Sequence, residues 1–146
     1  MSTRTGSCLC GAVSFEITAE PIVSGACHCR DCQTVAGGAP GYGMLLPAAA
    51  LRVTAGETRV YWSVADNGNR VGRAFCPDCG THLFARNERH PEFVSVKAGV
   101  LDDAQAFQVM AHVWTDSAPS WHPIDPDKPS WPKDPDMNIE DLTASR

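Results

Sequence analysis

Apolar and polar residues alternate along much of this chain with the period of two that marks strands buried on one face. Val13, Phe15 and Ile17 fall on one side, with Ser14, Glu16 and Thr18 on the other, which predicts a strand over residues 13–18. Similar runs predict strands over 42–46, 51–54, 60–64, 70–75, 83–85, 93–100 and 109–114. The breaks between them carry turn chemistry. Pro21 ends the first strand, Gly56 separates two others, and Asp66-Asn67-Gly68-Asn69 is a hairpin-type turn. Residues 47–50 read as one helical turn, 101–106 as a short turn or helix, and 33–41 as a small, glycine-rich loop after a possible helical turn. No long helical period appears, so the fold class is mostly β with short connections.

Composition changes this picture in two places. From Pro119 onward six of the 11 prolines fall by Pro135, interleaved with Trp, Asp and Lys, which predicts an extended tail with Trp121 and Trp131 as anchors. A chain of 146 residues, 43% hydrophobic and 20% charged, fits one soluble domain. No apolar run is long enough for a membrane span, and no apolar leader follows Met1, so the expected compartment is cytoplasmic, with no membrane partner. A net charge of −5 argues against binding the phosphate backbone of nucleic acid.

The candidate chemistry lies in seven cysteines, none of them alone. Cys8 and Cys10 form C-x-C before Gly11, Cys76 and Cys79 form C-x-x-C before Gly80, and Cys27, Cys29 and Cys32 form a triplet. Thiols clustered in a reducing compartment favour metal ligation over disulfides, and an odd count cannot all pair within one chain. Four thiolates close a tetrahedral zinc site, whereas three leave a position open for a ligand. The expected division is a structural zinc on Cys8, Cys10, Cys76 and Cys79, and a catalytic-type zinc, not necessarily full, on Cys27, Cys29 and Cys32. An incoming thiol in that open position would be held as thiolate. The triplet's rival readings are packed thiols or a Cys29-x-x-Cys32 redox pair, the latter without the βαβ context it expects. His28, between two ligands, reads as supporting the site or lying at the surface. His82 and His112 receive no role, and no general base is assigned. Trp114 reads as a core or tail anchor. Arg30, Arg70 and Arg73 are candidates for a substrate carboxylate.

Taken together, Cys8-Leu9-Cys10-Gly11, Cys27-His28-Cys29-Arg30-Asp31-Cys32 and Arg73-Ala74-Phe75-Cys76-Pro77-Asp78-Cys79-Gly80-Thr81 resemble the glutathione-dependent formaldehyde-activating enzyme (centromere protein V-like) family. His112-Val113-Trp114 and Ala118-Pro119-Ser120-Trp121 resemble its C-terminal pattern. The resemblance implies an Mss4-like, zinc-stabilised β fold over residues 1–125 with a Pro-rich tail over 126–146. It also implies two zinc sites divided as above, and carbon–sulfur lyase chemistry joining a glutathione-like thiol to a small aldehyde such as formaldehyde. The alternatives are a zinc-stabilised protein-binding module and a thiol redox or metal-sensing switch.

Overall fold

The computed structural model describes residues 3–135. Two sheets pack face to face. Strands β1 (Arg4–Ser7), β2 (Ser14–Ile17) and β5 (Leu51–Ala55) form the smaller, in the order β1-β2-β5. The larger contains β3 (Val23–Cys27), β4 (Gly41–Pro47), β6 (Arg59–Val64), β7 (Arg70–Phe75), β8 (His82–Asn87), β9 (Phe93–Lys97) and β10 (Ala111–Val113). Its order is β10-β3-β4-β9-β8-β7-β6, antiparallel throughout except for the parallel β10–β3 pair. One short helix, α1 (Arg30–Val35), follows β3.

The alternation read from the sequence decides which face is the core. Phe15 and Ile17 of the small sheet meet Met44, Leu46, Val94, Val96 and Phe84 of the large one, all buried. Phe15 and Phe84 make an edge-to-face pair with centroids 5.2 Å apart. Each such side chain removed from water contributes roughly 1.5–3 kcal/mol. The opposite face of the large sheet takes the residues in between. There Gly43, Ser95, Ala85, Val71 and Arg73 line a cavity instead of a core.

Several elements differ from the expectation. The strand expected over 93–100 stops at Lys97, because residues Ala98–Val100 turn as a 3-10 helix. The last strand covers only Ala111–Val113 of the expected 109–114. Gly56 (φ 78°) does not close a hairpin: β5 pairs with β2 and β6 with β7, so the turn carries the chain between sheets. Strands β1 and β3 carry no alternation that would announce them. β3 contains Gly25 because a Cβ there would lie 2.5 Å from the Ala111 carbonyl of its parallel neighbour.

Residues beyond Pro119 run back along β10. Pro129 and Pro132 donate no N–H, but their carbonyls accept from His112 (2.9 Å) and Asp116 (3.1 Å), and Trp131 N–H donates to the His112 carbonyl at 3.0 Å. Trp121, expected as an anchor, is 67% exposed; its neighbour His122 is the buried residue. Residues 136–146 of the expected tail lie outside the described residues. Among the described residues no helix is long and apolar enough to cross a membrane.

Candidate functional site

The structure brings the seven cysteines into two groups, each with its sulfurs within 4.8 Å of one another. In the first, Cys8 and Cys10 arrive on the turn between β1 and β2, and Cys76 and Cys79 on the turn between β7 and β8. Gly11 (φ 81°) and Gly80 (φ 78°) take the left-handed conformation that closes each turn. The Gly80 N–H donates to the Cys76 carbonyl at 2.8 Å, and Cys76 N–H donates to the Thr81 carbonyl at 3.0 Å. Thr81 joins the turns, its hydroxyl accepting from Leu9 N–H at 3.1 Å.

The Sγ atoms of Cys8 and Cys10 lie 3.7 Å apart, and those of Cys10 and Cys76 3.8 Å apart. Tetrahedral thiolates around a zinc ion would be separated by about 3.8 Å. Thiols of this set differ in how readily they ionise. Hydrogen bonds from Thr81 hold Cys79 down at about 5, and the Val13 N–H lowers Cys8. The Ala12 N–H also favours the Cys10 thiolate, but burial and the thiols of Cys79 and Cys8 outweigh it and push Cys10 up to about 12. Four adjacent thiolates repel one another unless a cation sits among them. These donors fit a metal ion.

The second group is built by one short segment. Cys27 ends β3, and Cys29 caps α1, its sulfur accepting from the Cys32 N–H at 3.3 Å. The neighbouring thiols Cys27 and Cys29 pull Cys32 down to about 3, with Lys97 and Arg73 adding to the effect. Cys27 moves the other way, raised by the Cys29 and Cys32 thiols and by burial. Cys29 is also raised: Cys27 favours its thiolate, but Cys32 and burial outweigh that. This set too has the donors for a metal ion, with three sulfurs instead of four. It opens onto a cavity of about 260 Å³ lined by Lys97, Arg73, His82, Asn69 and Trp114. Trp114 is the one non-glycine residue with positive φ (59°) among the described residues. Strain of that kind in a bulky residue marks a position fixed by its surroundings. Its indole N–H donates to Asp134 at 2.7 Å.

Behind the triplet lie three buried histidines. His28 is fully buried, not at the surface. Its Nε2 is 2.9 Å from His112 Nδ1, and its Nδ1 is 3.1 Å from His122 Nδ1. His122 Nε2 reaches the Gly38 carbonyl at 2.6 Å. Burial lowers His28 to about 4, helped by His112 and His122. The buried Gln33 amide donates to the His28 carbonyl (2.7 Å) and the Ser117 carbonyl (3.0 Å). Of the three arginines considered from sequence, Arg73 and Arg30 line the cavity, whereas Arg70 pairs with Glu88 at 3.0 Å.

Residues 3–117 match the model of the glutathione-dependent formaldehyde-activating enzyme family. The chain belongs to that family. A Halomonas elongata protein named for it is 32% identical over 126 residues, which are 82% of this chain and 80% of the relative. A Penicillium rubens protein with the same name is 33% identical over 108 residues, 69% of this chain and 54% of the relative, so the chain spans about half of that longer protein. The fold is the family's Mss4-like, mostly β arrangement. A crystal structure of a Rhodobacter sphaeroides protein shares it, with a TM-score of 0.56 over 87% of this chain and 98% of that one at 19% identity.

Sequence reasoning missed Lys97, Gln33 and His122. Alternation through Val94, Ser95 and Val96 does put Lys97 on the face opposite the core. No local pattern marks Gln33, which bridges His28 to Ser117 84 residues on, or His122, whose ring partners lie 84 or more residues away.

Proposed function

We propose that this chain joins a glutathione-like thiol to a small aldehyde such as formaldehyde, a reaction of the carbon–sulfur lyase class, at Cys27, Cys29 and Cys32. In this reading zinc occupies both cysteine groups. Cys8, Cys10, Cys76 and Cys79 surround a structural ion, and the triplet holds the catalytic one. When bound by three protein thiolates, zinc keeps a fourth position in which an incoming thiol is stabilised as its thiolate at neutral pH.

The observation that carries the reading is the triplet's placement, with three sulfurs together at the wall of a cavity of about 260 Å³. A closed four-sulfur set has no room for a substrate, and a buried triplet would have no access. The chain's own groups suit an anionic thiol. Lys97 and Arg73 offset negative charge beside Cys32, and the buried Oδ1 of Asn69 has no partner among the described residues. A buried acceptor of this kind is free for a substrate N–H.

The test is hemithioacetal formation from glutathione and formaldehyde with the metal-loaded protein. Acceleration over the spontaneous rate, lost in Cys29→Ser, supports the reading. No acceleration over a panel of thiols and aldehydes would overturn it.

A further inference from the structure

Lys97 is the fifth residue of a strand whose second and fourth residues, Val94 and Val96, are core. It therefore faces the cavity with Ser95. Among the described residues no carboxylate lies within ion-pair distance of its ammonium group. The ammonium lies against Gly41 of β4. A Cβ at Gly41 would sit 3.0 Å from Lys97 Nζ and 3.1 Å from Cys32 Sγ, so the lysine nitrogen and the sulfur both crowd the one place that glycine leaves open.

His82 lines the same cavity. Its Nε2 faces the Phe84 carbonyl at 3.1 Å, and a carbonyl only accepts, so Nε2 carries the hydrogen. The Nδ1 lone pair is then bare, buried and without a partner among the described residues. The cavity thus presents one donor group near Cys32 and, on the same lining, one bare acceptor, the pair that a hydroxyl oxygen and its hydrogen require. Buried polar atoms are seldom left unpaired without a reason.

We propose that Lys97 and His82 form the subsite for the aldehyde oxygen. Lys97 is a catalytic residue that donates to that oxygen, and His82 Nδ1 accepts from the hydroxyl of the adduct. The inference rests on the thiol–aldehyde reading above. In the forward step a sulfur lone pair forms the new carbon–sulfur bond, and the carbonyl π pair moves onto oxygen. The Lys97 N–H stabilises the resulting alkoxide, and water supplies the proton that makes it a hydroxyl. The thiol proton has gone to solvent, so thiol plus aldehyde equals adduct. Removing one preorganised donor to an oxyanion typically lowers kcat by about 10²–10³.

The experiment uses the metal-loaded protein and two variants. Lys97→Met lowers kcat about 100-fold with metal content unchanged and with the KM for thiol nearly unchanged. Gly41→Ala keeps the lysine but crowds its ammonium group as well as Cys32, and gives a smaller loss with metal content unchanged. A second measurement needs no turnover. S-acetylglutathione carries an oxygen on the carbon next to sulfur, and S-ethylglutathione does not. The parent protein binds the acetyl compound about tenfold tighter, a preference of the size one hydrogen bond to a charged group supports, and Lys97→Met abolishes it. Equal kcat in Lys97→Met and parent, or loss of metal from Lys97→Met, overturns the inference, the latter because the lysine would then only balance thiolate charge. A parent protein that discriminates the two thiol derivatives through Lys97 yet accelerates no condensation keeps the oxygen subsite and sinks the reaction instead.

Discussion

His28 Nε2 lies 2.9 Å from His112 Nδ1, and this contact is one link in a hydrogen-bond chain whose direction can be worked out from its end. The Gly38 carbonyl can only accept, so His122 Nε2 carries a hydrogen and His122 Nδ1 is an acceptor. His28 Nδ1 must then donate to His122, leaving His28 Nε2 to accept from His112 Nδ1. That leaves His112 Nε2 an acceptor, and the Asp125 N–H points at it from 3.4 Å. Both ends agree on one arrangement of the hydrogens along the three imidazoles. The chain ties the segment between Cys27 and Cys29 to β10 and to the C-terminal run.

Replacing His112 by Ala removes the donor to His28 Nε2 and leaves that buried atom unpaired. The expected loss is about 1–3 kcal/mol of unfolding free energy, measured by urea titration of the metal-loaded protein. His112→Asn offers an amide N–H near the place of the Nδ1 hydrogen and recovers a large part of the loss. If Ala and Asn were equally destabilising, packing and not the hydrogen bond would be what His112 supplies.

The same chain sets a pH dependence. Burial keeps His28 at about 4 in the folded protein against an ordinary value of 6.5, and His82 is lowered to about 4 by burial and by Lys97. Between those limits the unfolded chain binds more protons than the folded one. Stability therefore rises with pH through this window, is fully present above 6.5, and is lost as pH falls towards 4. Thiolate protonation acts in the same direction, so the informative quantity is a difference. In one metal buffer, His112→Asn and His82→Phe should each lose stability less steeply than the parent between pH 6.5 and 4. Identical slopes in parent and variants would assign the whole effect to the cysteines.

Asp134 ties the C-terminal run to the cavity wall. Its two carboxylate oxygens accept from Trp114 Nε1 at 2.7 Å and from Asn67 Nδ2 at 2.6 Å. Asp134→Ala should free the run that lies along β10, so the Trp131 amide, bonded to the His112 carbonyl, exchanges its hydrogen with solvent faster than in the parent. An unchanged exchange rate would mean that the backbone bonds made at Trp131 and accepted by the Pro132 carbonyl hold the segment unaided.

How much of this was legible beforehand follows the range of each interaction. Val13, Phe15 and Ile17 announced a buried strand face because strand periodicity is a local property, and the Cys76–Gly80 turn announced its paired thiols by their spacing. Strand β3 was silent, since Ser24 and Gly25 obey the parallel neighbour β10, 84 or more residues later, and not a local pattern. The Gly56 turn was legible as a turn but not as a crossing between sheets, because both outcomes need the same residue. The grouping of cysteines by pairs was readable from their number. The histidine chain was not, because His28, His112 and His122 meet only once the C-terminal run has folded back over β10.

The two cysteine groups should respond differently to the same chemical change. Cys8, Cys10, Cys76 and Cys79 connect turns 66 or more residues apart and border the core, where Cys8 and Cys76 are both buried. Metal binding at such a place is part of the folding free energy, because the unfolded chain has no preformed site. Cys27, Cys29 and Cys32 lie within one turn whose backbone is already held by Gln33 and His28. Cys76→Ser should therefore be largely unfolded at room temperature by circular dichroism, whereas Cys29→Ser should keep its spectrum and cooperative unfolding while metal content drops by about half, from two ions to one. A folded, one-metal Cys76→Ser protein would show that the core, not the ion, holds the two sheets together. An unfolded Cys29→Ser protein would make the triplet structural as well.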